Sequence, residues 1–485
     1  MNKLNNLIEK PFVKIIRTDK AIYAFDINTG NILRISQKLS EVLDNWQENS
    51  ELNYYRSSIE FIERLQKDEK IFLGNTVDMV RPNLTKDDLE KKTLKECNHL
   101  VLNITESCNL NCTYCIYSGA YPGRRTRSNK VMSWDTAKKA IDLLARGSKS
   151  LSDSSILGFY GGEPLLRFNF IRDCVDYANL ELGNSPHLFS ITTNGTMLNE
   201  DIIDYLVTNK FIITISIDGP KYIHDKNRRS IDDEGTFDKI IENIETLRDR
   251  CGESYFKDYV NLSSVLSPPY NLQLLNEFFS KFLASIRLST IEYTSELYKD
   301  VSIHEDIGWD PLAKIMKNFC LNQDTEKDFR SAGIGVPYEL FSRELRRIHN
   351  RVLDQPINHV QSVLGLCQPG KGRAFVSCDG NIYLCERVEG NENMLIGTVE
   401  DGIEPNKVIK IINNVSNLDF SRCKSCWVMK FCNLCFAHIV SNNNYSIDKW
   451  QFSCDGLKNH FAIALRLYCE IMEENEMALD FLSRK

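Results

Sequence analysis

The sequence predicts an α/β protein built around a partial (β/α)6 TIM barrel, with an N-terminal winged-helix-like module and a C-terminal cysteine-rich domain. Three observations predict it. Six strand-then-helix units follow one another between residues 97 and 295. Eleven of the sixteen cysteines are grouped in two regions. Short β-rich runs and two amphipathic segments precede residue 95. The implied divisions are 1–95, a recognition-type module; 96–299, the α/β core; 300–366, a helical bridging region; and 367–485, the cysteine-rich domain with a closing helix near Asn459–Leu482.

The N-terminal runs are Phe12–Thr18, Ala21–Asp26 and Ile32–Ile35, with Asn28-Thr29-Gly30-Asn31 as a hairpin turn signal. Apolar-periodic segments follow at Lys38–Trp46 and Ser58–Leu65, and Asn83–Glu96 is polar enough to read as a linker. The core strands are His99–Thr105, Ile156–Tyr160, Leu188–Thr193, Phe211–Ile217, Val260–Leu266 and Leu288–Tyr293. Each is short and rich in β-branched or aromatic residues, as strands covered on both faces should be. Between them lie Trp134–Arg146, Phe168–Leu182, Asp201–Asn209, Thr236–Arg250 and Leu272–Ala284. In the first of these Ala137, Ala140, Ile141 and Leu144 share one helical face. Repeated βα units imply a parallel sheet, open or curved, with chemistry at the C-terminal ends of its strands.

The net charge of -7 argues against general nucleic-acid binding, because no excess of cations is available to displace counterions. The first residues lack an apolar signal-peptide region, and no stretch reaches transmembrane length. A cytoplasmic chain with neither a nucleic-acid nor a membrane partner is therefore expected, and its cysteines point to metal rather than disulfides.

Directly after the first core strand comes Cys108-Asn-Leu-Asn-Cys112-Thr-Tyr-Cys115. Three thiolates on one short loop can converge on one iron cluster and leave its fourth iron open to a small molecule. A structural zinc site would want four closed ligands. Cys-x3-Cys-x2-Cys with Tyr114 before the last cysteine resembles the radical S-adenosylmethionine (SAM) superfamily. That resemblance implies a [4Fe–4S] cluster whose open iron chelates SAM, and reductive cleavage of SAM to methionine and a 5′-deoxyadenosyl radical that abstracts hydrogen from substrate. Gly161-Gly162-Glu163-Pro164 after the second strand resembles the family's Gly-Gly-Glu-Pro motif for the SAM amino group. Its glycines would let backbone approach the ligand, and its carboxylate suits an ammonium. Asn194 at the end of strand three, and Ser216 and Asp218 at the end of strand four, resemble ribose and carboxylate contacts. Taken singly, these are also ordinary strand-ending turns. Arg228, in His224-Asp225-x-x-Arg228, is a candidate for the SAM carboxylate or for a surface ion pair.

The second region reads Cys367-x12-Gly380-x4-Cys385, Cys423-x2-Cys426-x5-Cys432-x2-Cys435, then Cys454. It resembles the SPASM domain of peptide-modifying radical SAM enzymes, with one residue fewer before Cys435 than the family pattern has. By resemblance, Cys367, Cys385 and Cys435 hold one auxiliary [4Fe–4S] cluster, and Cys423, Cys426, Cys432 and Cys454 hold the other. Cys378 is either a fourth ligand to the first, a free thiol, or a hydrogen donor in catalysis. A zinc ribbon is disfavoured by the five-residue gap between the Cys-x2-Cys pairs. Cys97, Cys174, Cys251, Cys320 and Cys469 read as small buried apolar residues.

The N-terminal module resembles the element that grips a leader peptide as an added strand along a sheet edge, among Ala21–Asp26 and Ile32–Ile35. A structural cap or dimerisation module is the other reading. Together the resemblances imply a maturase of a ribosomally synthesised precursor peptide, installing a thioether or other crosslink, fed by a reductant such as flavodoxin or ferredoxin. Peptide epimerisation and an anaerobic sulfatase-maturing activity are the alternatives. The latter type carries an acidic general base just after a cluster cysteine, and here Glu386 follows Cys385.

Overall fold

A computed structural model describes residues 9–483 apart from 47–55, 83–96, 122, 149–153, 268–270, 291–308, 323–327, 354–359, 364–371, 434, 442–443 and 446. The predicted linker Asn83–Glu96 and the candidate ligand Cys367 lie outside the described residues, as does the end of the predicted strand Leu288–Tyr293.

In the N-terminal module, strands β1 (Val13–Arg17), β2 (Ile22–Asp26) and β3 (Ile32–Ile35) form an antiparallel sheet in the order β1-β2-β3. The β2–β3 turn places Gly30 at φ +79°, a conformation glycine adopts without strain. Helices Gln37–Asp44 and Arg56–Arg64 close the module over a small core of Ala24, Leu39, Val42, Ile62 and Phe72. Because β2 pairs on both sides, Ala21–Asp26 has no edge to offer, which leaves Ile32–Ile35. A further strand, β4 (Met79–Pro82), pairs in parallel with β11 (Val360–Val363).

The core strands are β5 (Cys97–Thr105), β6 (Ser155–Gly161), β7 (His187–Thr193), β8 (Phe211–Ser216), β9 (Val260–Leu266) and β10 (Ser285–Thr290). All five pairings between neighbours are parallel. On β5 the residues Leu100, Leu102 and Ile104 pack with Ala137 and Ile141 of the helix Trp134–Ser148. With a side-chain period of two, Asn103 and Thr105 face the opposite side of the sheet.

The sheet does not stop at β5. Strand β12 (Gly372–Val376) lies parallel to it, and β13 (Asn381–Tyr383), β14 (Leu395–Thr398) and β15 (Gly402–Ile403) continue antiparallel. The result is a ten-stranded sheet ordered β10-β9-β8-β7-β6-β5-β12-β13-β14-β15. The cysteine-rich domain expected from residue 367 therefore opens, in its described part, as a strand set fused to the core. Helices Trp309–Leu321 and Gly335–His349 fill the bridging region, and the closing helix is Ile447–Met472, displaced toward the N-terminus from the span expected. Among the described residues no helix is long and apolar enough to cross a membrane.

Candidate iron–sulfur and SAM site

The three-cysteine loop leaves the C-terminal end of β5 and is fixed on both flanks. Asn111 N–H donates to Arg229 O at 2.8 Å and Thr113 N–H to Asn227 O at 3.0 Å, while Thr113 Oγ1 donates to Asn227 Oδ1 at 2.9 Å. Tyr114, the aromatic of the motif, is buried and turned inward. Its hydroxyl donates to Asp218 Oδ2 at 2.5 Å and accepts from Arg228 Nη1 at 2.7 Å. Arg228 Nη1 is 3.8 Å from Asp218 Oδ1, which also accepts from Val265 N–H at 3.1 Å. Asp218 and Arg228 are 1% and 7% exposed, so this is a buried pair rather than a surface one. Burial drives the Asp218 carboxyl above its usual range, and the Arg228 guanidinium opposes that drift.

His224 supports the pair from beneath. Its Nδ1 accepts from Asp218 N–H at 3.3 Å, and its Nε2 lies 3.1 Å from Thr236 Oγ1, whose proton goes to Arg228 O at 2.8 Å. That geometry requires the neutral imidazole protonated on Nε2. Burial, with Arg228 adding to it, pushes His224 down to about 3, and burial with Arg373 and Arg287 pushes His99 down to about 4. Both rings bind protons more readily once unfolded, near the ordinary 6.5. Their contribution to stability is therefore full above that value and is lost as pH falls from it toward the folded values. Replacing His224 by Gln is expected to flatten the decline in melting temperature between about pH 7 and 5. An unchanged slope would show that His224 takes up its proton in the fold as readily as in the unfolded chain.

Gly161 and Gly162 bring backbone close, but to backbone rather than only to ligand. A Cβ at Gly161 would stand 2.2 Å from Thr105 O, and one at Gly162 2.1 Å from Ser107 O. Gly162 N–H donates to Thr105 O at 2.8 Å and Glu163 N–H to Ser107 O at 2.9 Å. The motif thus clamps the approach to the cysteine loop. Glu163 is fully buried, and its carboxylate accepts from Thr193 Oγ1 (2.7 Å), Leu165 N–H (3.0 Å) and Asn194 N–H (2.7 Å). It ties the ends of β6 and β7 together, while the buried Pro164 opens the short helical turn Pro164–Arg167. Asn194 then reaches the cysteine loop, with Nδ2 2.8 Å from Asn109 Oδ1 and 3.9 Å from Cys108 Sγ. Ser216 is half-buried at the end of β8.

The donor set fits an iron–sulfur cluster. Cys108, Cys112 and Cys115 are close enough for each charge to act on the others. Burial raises the Cys108 thiol to about 11 and also raises Cys112, where the Arg228 guanidinium favours thiolate. Among the described residues no three such side chains are gathered tightly enough for a single metal ion. The C-terminal cysteines divide in the same way. Cys423 feels Cys426, Cys454 and Cys432, and Cys454 feels Cys432 and Cys426. Cys385 feels Cys435. Cys378 is 4% exposed, and its Sγ donates to Asn103 O at 3.0 Å.

Two features were not read from the sequence. Arg125, in the loop after Cys115, pairs with buried Glu389 and stacks 3.5 Å from the Tyr117 ring centroid, while Asn103 Nδ2 donates to Glu389 Oε1 at 2.7 Å. Tyr117 Oη donates to Glu386 O at 3.0 Å. These contacts bolt the segment after Cys385 to the three-cysteine loop. Arg373 Nη2 lies 2.9 Å from Glu386 Oε2, an ion pair without hydrogen-bond alignment. Nothing local marks Arg125 and Glu389, or Tyr117 and Glu386, as partners, since each pair lies more than two hundred residues apart.

A loop bearing three thiols thus stands at the C-terminal mouth of a parallel β/α sheet. Residues 102–273 match the family described as the Radical SAM superfamily, and the chain carries a radical SAM domain, which binds SAM and a [4Fe–4S] cluster. A cysteine-type anaerobic sulfatase-maturating enzyme of Clostridium novyi (strain NT) is 33% identical over 156 residues, 32% of this chain and 41% of that protein. The radical SAM cyclopropyl synthase TigE of Paramaledivibacter caminithermalis is 25% identical over 299 residues, 57% of this chain and 58% of that one. The chain thus spans well under two thirds of each. Native anSMEcpe with bound AdoMet and Cp18Cys peptide superposes at a TM-score of 0.56 and 19% identity, over 77% of this chain and 98% of that chain.

Proposed function

We propose that this chain is a radical SAM enzyme that modifies a ribosomally made peptide, most simply by an oxidative crosslink. The observation that carries the reading is the N-terminal sheet, whose β3 is paired on one side only among the described residues. Such an edge accepts an extended leader through main-chain hydrogen bonds. The shared fold with anSMEcpe, solved with a bound peptide, supports a peptide as the partner. An anchoring module of this kind is surplus to a sulfatase-maturing activity.

In this reading Cys108, Cys112 and Cys115 hold the SAM cluster, with Asn194, Ser216 and the Asp218–Tyr114–Arg228 group shaping the SAM side. When bound, the cluster and SAM supply a hydrogen-abstracting radical. Cys385 and Cys435, with Cys367, hold one auxiliary cluster, and Cys423, Cys426, Cys432 and Cys454 the other. A crosslink is a net oxidation, for which the auxiliary clusters, when bound by these cysteines, would supply an electron acceptor. Glu386 takes the proton that the substrate gives up, held toward the sheet by Arg373. Cys378 is a structural thiol, its proton committed to Asn103 O. Flavodoxin or ferredoxin is the reductant class.

Glu386 beside Cys385 also favours the sulfatase-maturing alternative, in which it deprotonates a target Cys or Ser. One experiment separates them. Anaerobically reconstituted enzyme, SAM and dithionite are incubated with a cysteine-containing peptide encoded beside the gene, and in parallel with a sulfatase-type cysteine peptide. Loss of a hydrogen pair with sulfur retained in the first supports the proposal. Loss of sulfur in the second alone overturns it. In either case Glu386→Gln is expected to cut product formation by about 10²–10⁴-fold while SAM cleavage continues.

A further inference from the structure

The loop that carries Cys423, Cys426 and Cys432 has almost no regular structure of its own, only the turns Ser421–Lys424 and Met429–Phe431. Its shape comes from outside, and much of the outside is the N-terminal module. Asn75 Nδ2 donates to Lys424 O at 2.8 Å, between the first two cysteines. Lys14 Nζ sits 5.4 Å from the ring centroid of Trp427, beside Cys426. Lys430 Nζ donates to Asn28 O at 2.7 Å, two residues before Cys432. The Phe431 ring stacks between Phe25 (5.6 Å, 24°) and Phe461 (5.5 Å, 9°). Phe25 and Phe461 are both fully buried. On the inner side Arg347 Nη1 donates to Phe431 O at 2.7 Å.

The module's contribution is stiff where it matters. The Asp26 carboxylate is fully buried and accepts from Asn28 N–H (3.0 Å), Thr29 Oγ1 (2.9 Å) and Phe72 N–H (3.0 Å). The β2–β3 turn therefore presents Asn28 O in one orientation. Loop carbonyls and an aromatic ring satisfied from another module lose those partners, and gain a desolvation penalty or a void, if that module shifts.

We infer that the N-terminal module forms the outer wall of the four-cysteine site, with Phe25 and Asn28 positioning the cluster loop through Phe431 and Lys430. The inference rests on the reading that these four cysteines hold an auxiliary cluster. It adds that the strand edge offered to a peptide and the wall of the cluster belong to one hairpin, since Asn28 lies in the turn that leads into β3.

The test is iron content and the electron paramagnetic resonance spectrum of the dithionite-reduced, anaerobically reconstituted full chain. Three four-iron clusters give about twelve irons in the wild type. Lys430→Met and Phe25→Ala are each expected to lose about four of them, one auxiliary signal disappearing or broadening, with Lys430→Arg restoring it. Lys430→Met leaves the module's own core intact, so its loss is not unfolding of that core. Wild-type iron and an unchanged spectrum in both variants would overturn the inference while leaving the auxiliary clusters in place. So would complete iron loss in Phe25→Ala beside a wild-type Lys430→Met, which reports unfolding instead. A wild type with only about four irons overturns the auxiliary-cluster reading itself.

Discussion

A chain with Cys108, Cys112 and Cys115 all replaced by Ala folds normally but makes no 5′-deoxyadenosine. The fold asks little of these thiols. They are partly exposed on a loop, where the Cys108 sulfur accepts from Leu110 N–H at 3.4 Å and, at a longer 3.9 Å, from Asn194 Nδ2. The loop is held instead by its backbone, through Asn227, Arg229 and the Tyr114 hydroxyl. The chemistry asks everything of them, since a cluster that has lost all its thiolate ligands cannot assemble. Chromatography of a dithionite-driven reaction reads the outcome, with circular dichroism as the folding control. Any 5′-deoxyadenosine above the no-enzyme level would remove the loop from the SAM site.

The second large effect falls on stability. Arg228→Met strips the buried Asp218 carboxylate of its cation, and breaking such a pair from one side costs about 3–5 kcal/mol. A drop in melting temperature of the apo-protein is expected, together with a weakened grip on Tyr114, whose hydroxyl accepts from Arg228. The double variant Asp218→Asn/Arg228→Met removes both charges and is expected to recover part of the loss. If the double variant is no more stable than Arg228→Met alone, the penalty comes from lost packing and not from a stranded charge.

Much of the scaffold was legible because its signals are local. Phe168–Leu182 and Val260–Leu266 were placed to the residue, whereas the helix expected to end at Arg250 runs on to Tyr259 across a break at Gly252, and the one expected to reach Ala284 ends at Phe279. The three-cysteine loop was legible because its ligands share eight residues of chain. What could not be read was long-range. That β12 joins β5 depends on a pairing between residues 97–102 and 372–376, which no local pattern announces. Glu163 and Asp218, expected as ligand contacts, also accept hydrogen bonds from the protein's own hydroxyls and amides. Sequence gives their chemistry, and only the fold tells where their lone pairs go. Arg125 and Glu389 were invisible singly, each being an ordinary charged residue until its partner arrives. Ala21–Asp26 was offered as an edge, but order within a three-stranded sheet follows from which hairpins close, not from strand propensity.

The seam between β5 and β12 has a consequence for how the chain is made. On the ribosome β5 emerges early, while its neighbour waits until residue 372, some 275 residues after Cys97 (372 − 97). At about 5–20 residues per second that interval lasts roughly 15–55 s. Throughout it the nascent chain holds one flank of its central strand unpaired, with β6 able to cover only the other. An open flank on an apolar strand is a template for pairing with any passing chain. Synthesis of this protein therefore contains a built-in window of vulnerability, closed by the same segment that brings in the second set of cysteines.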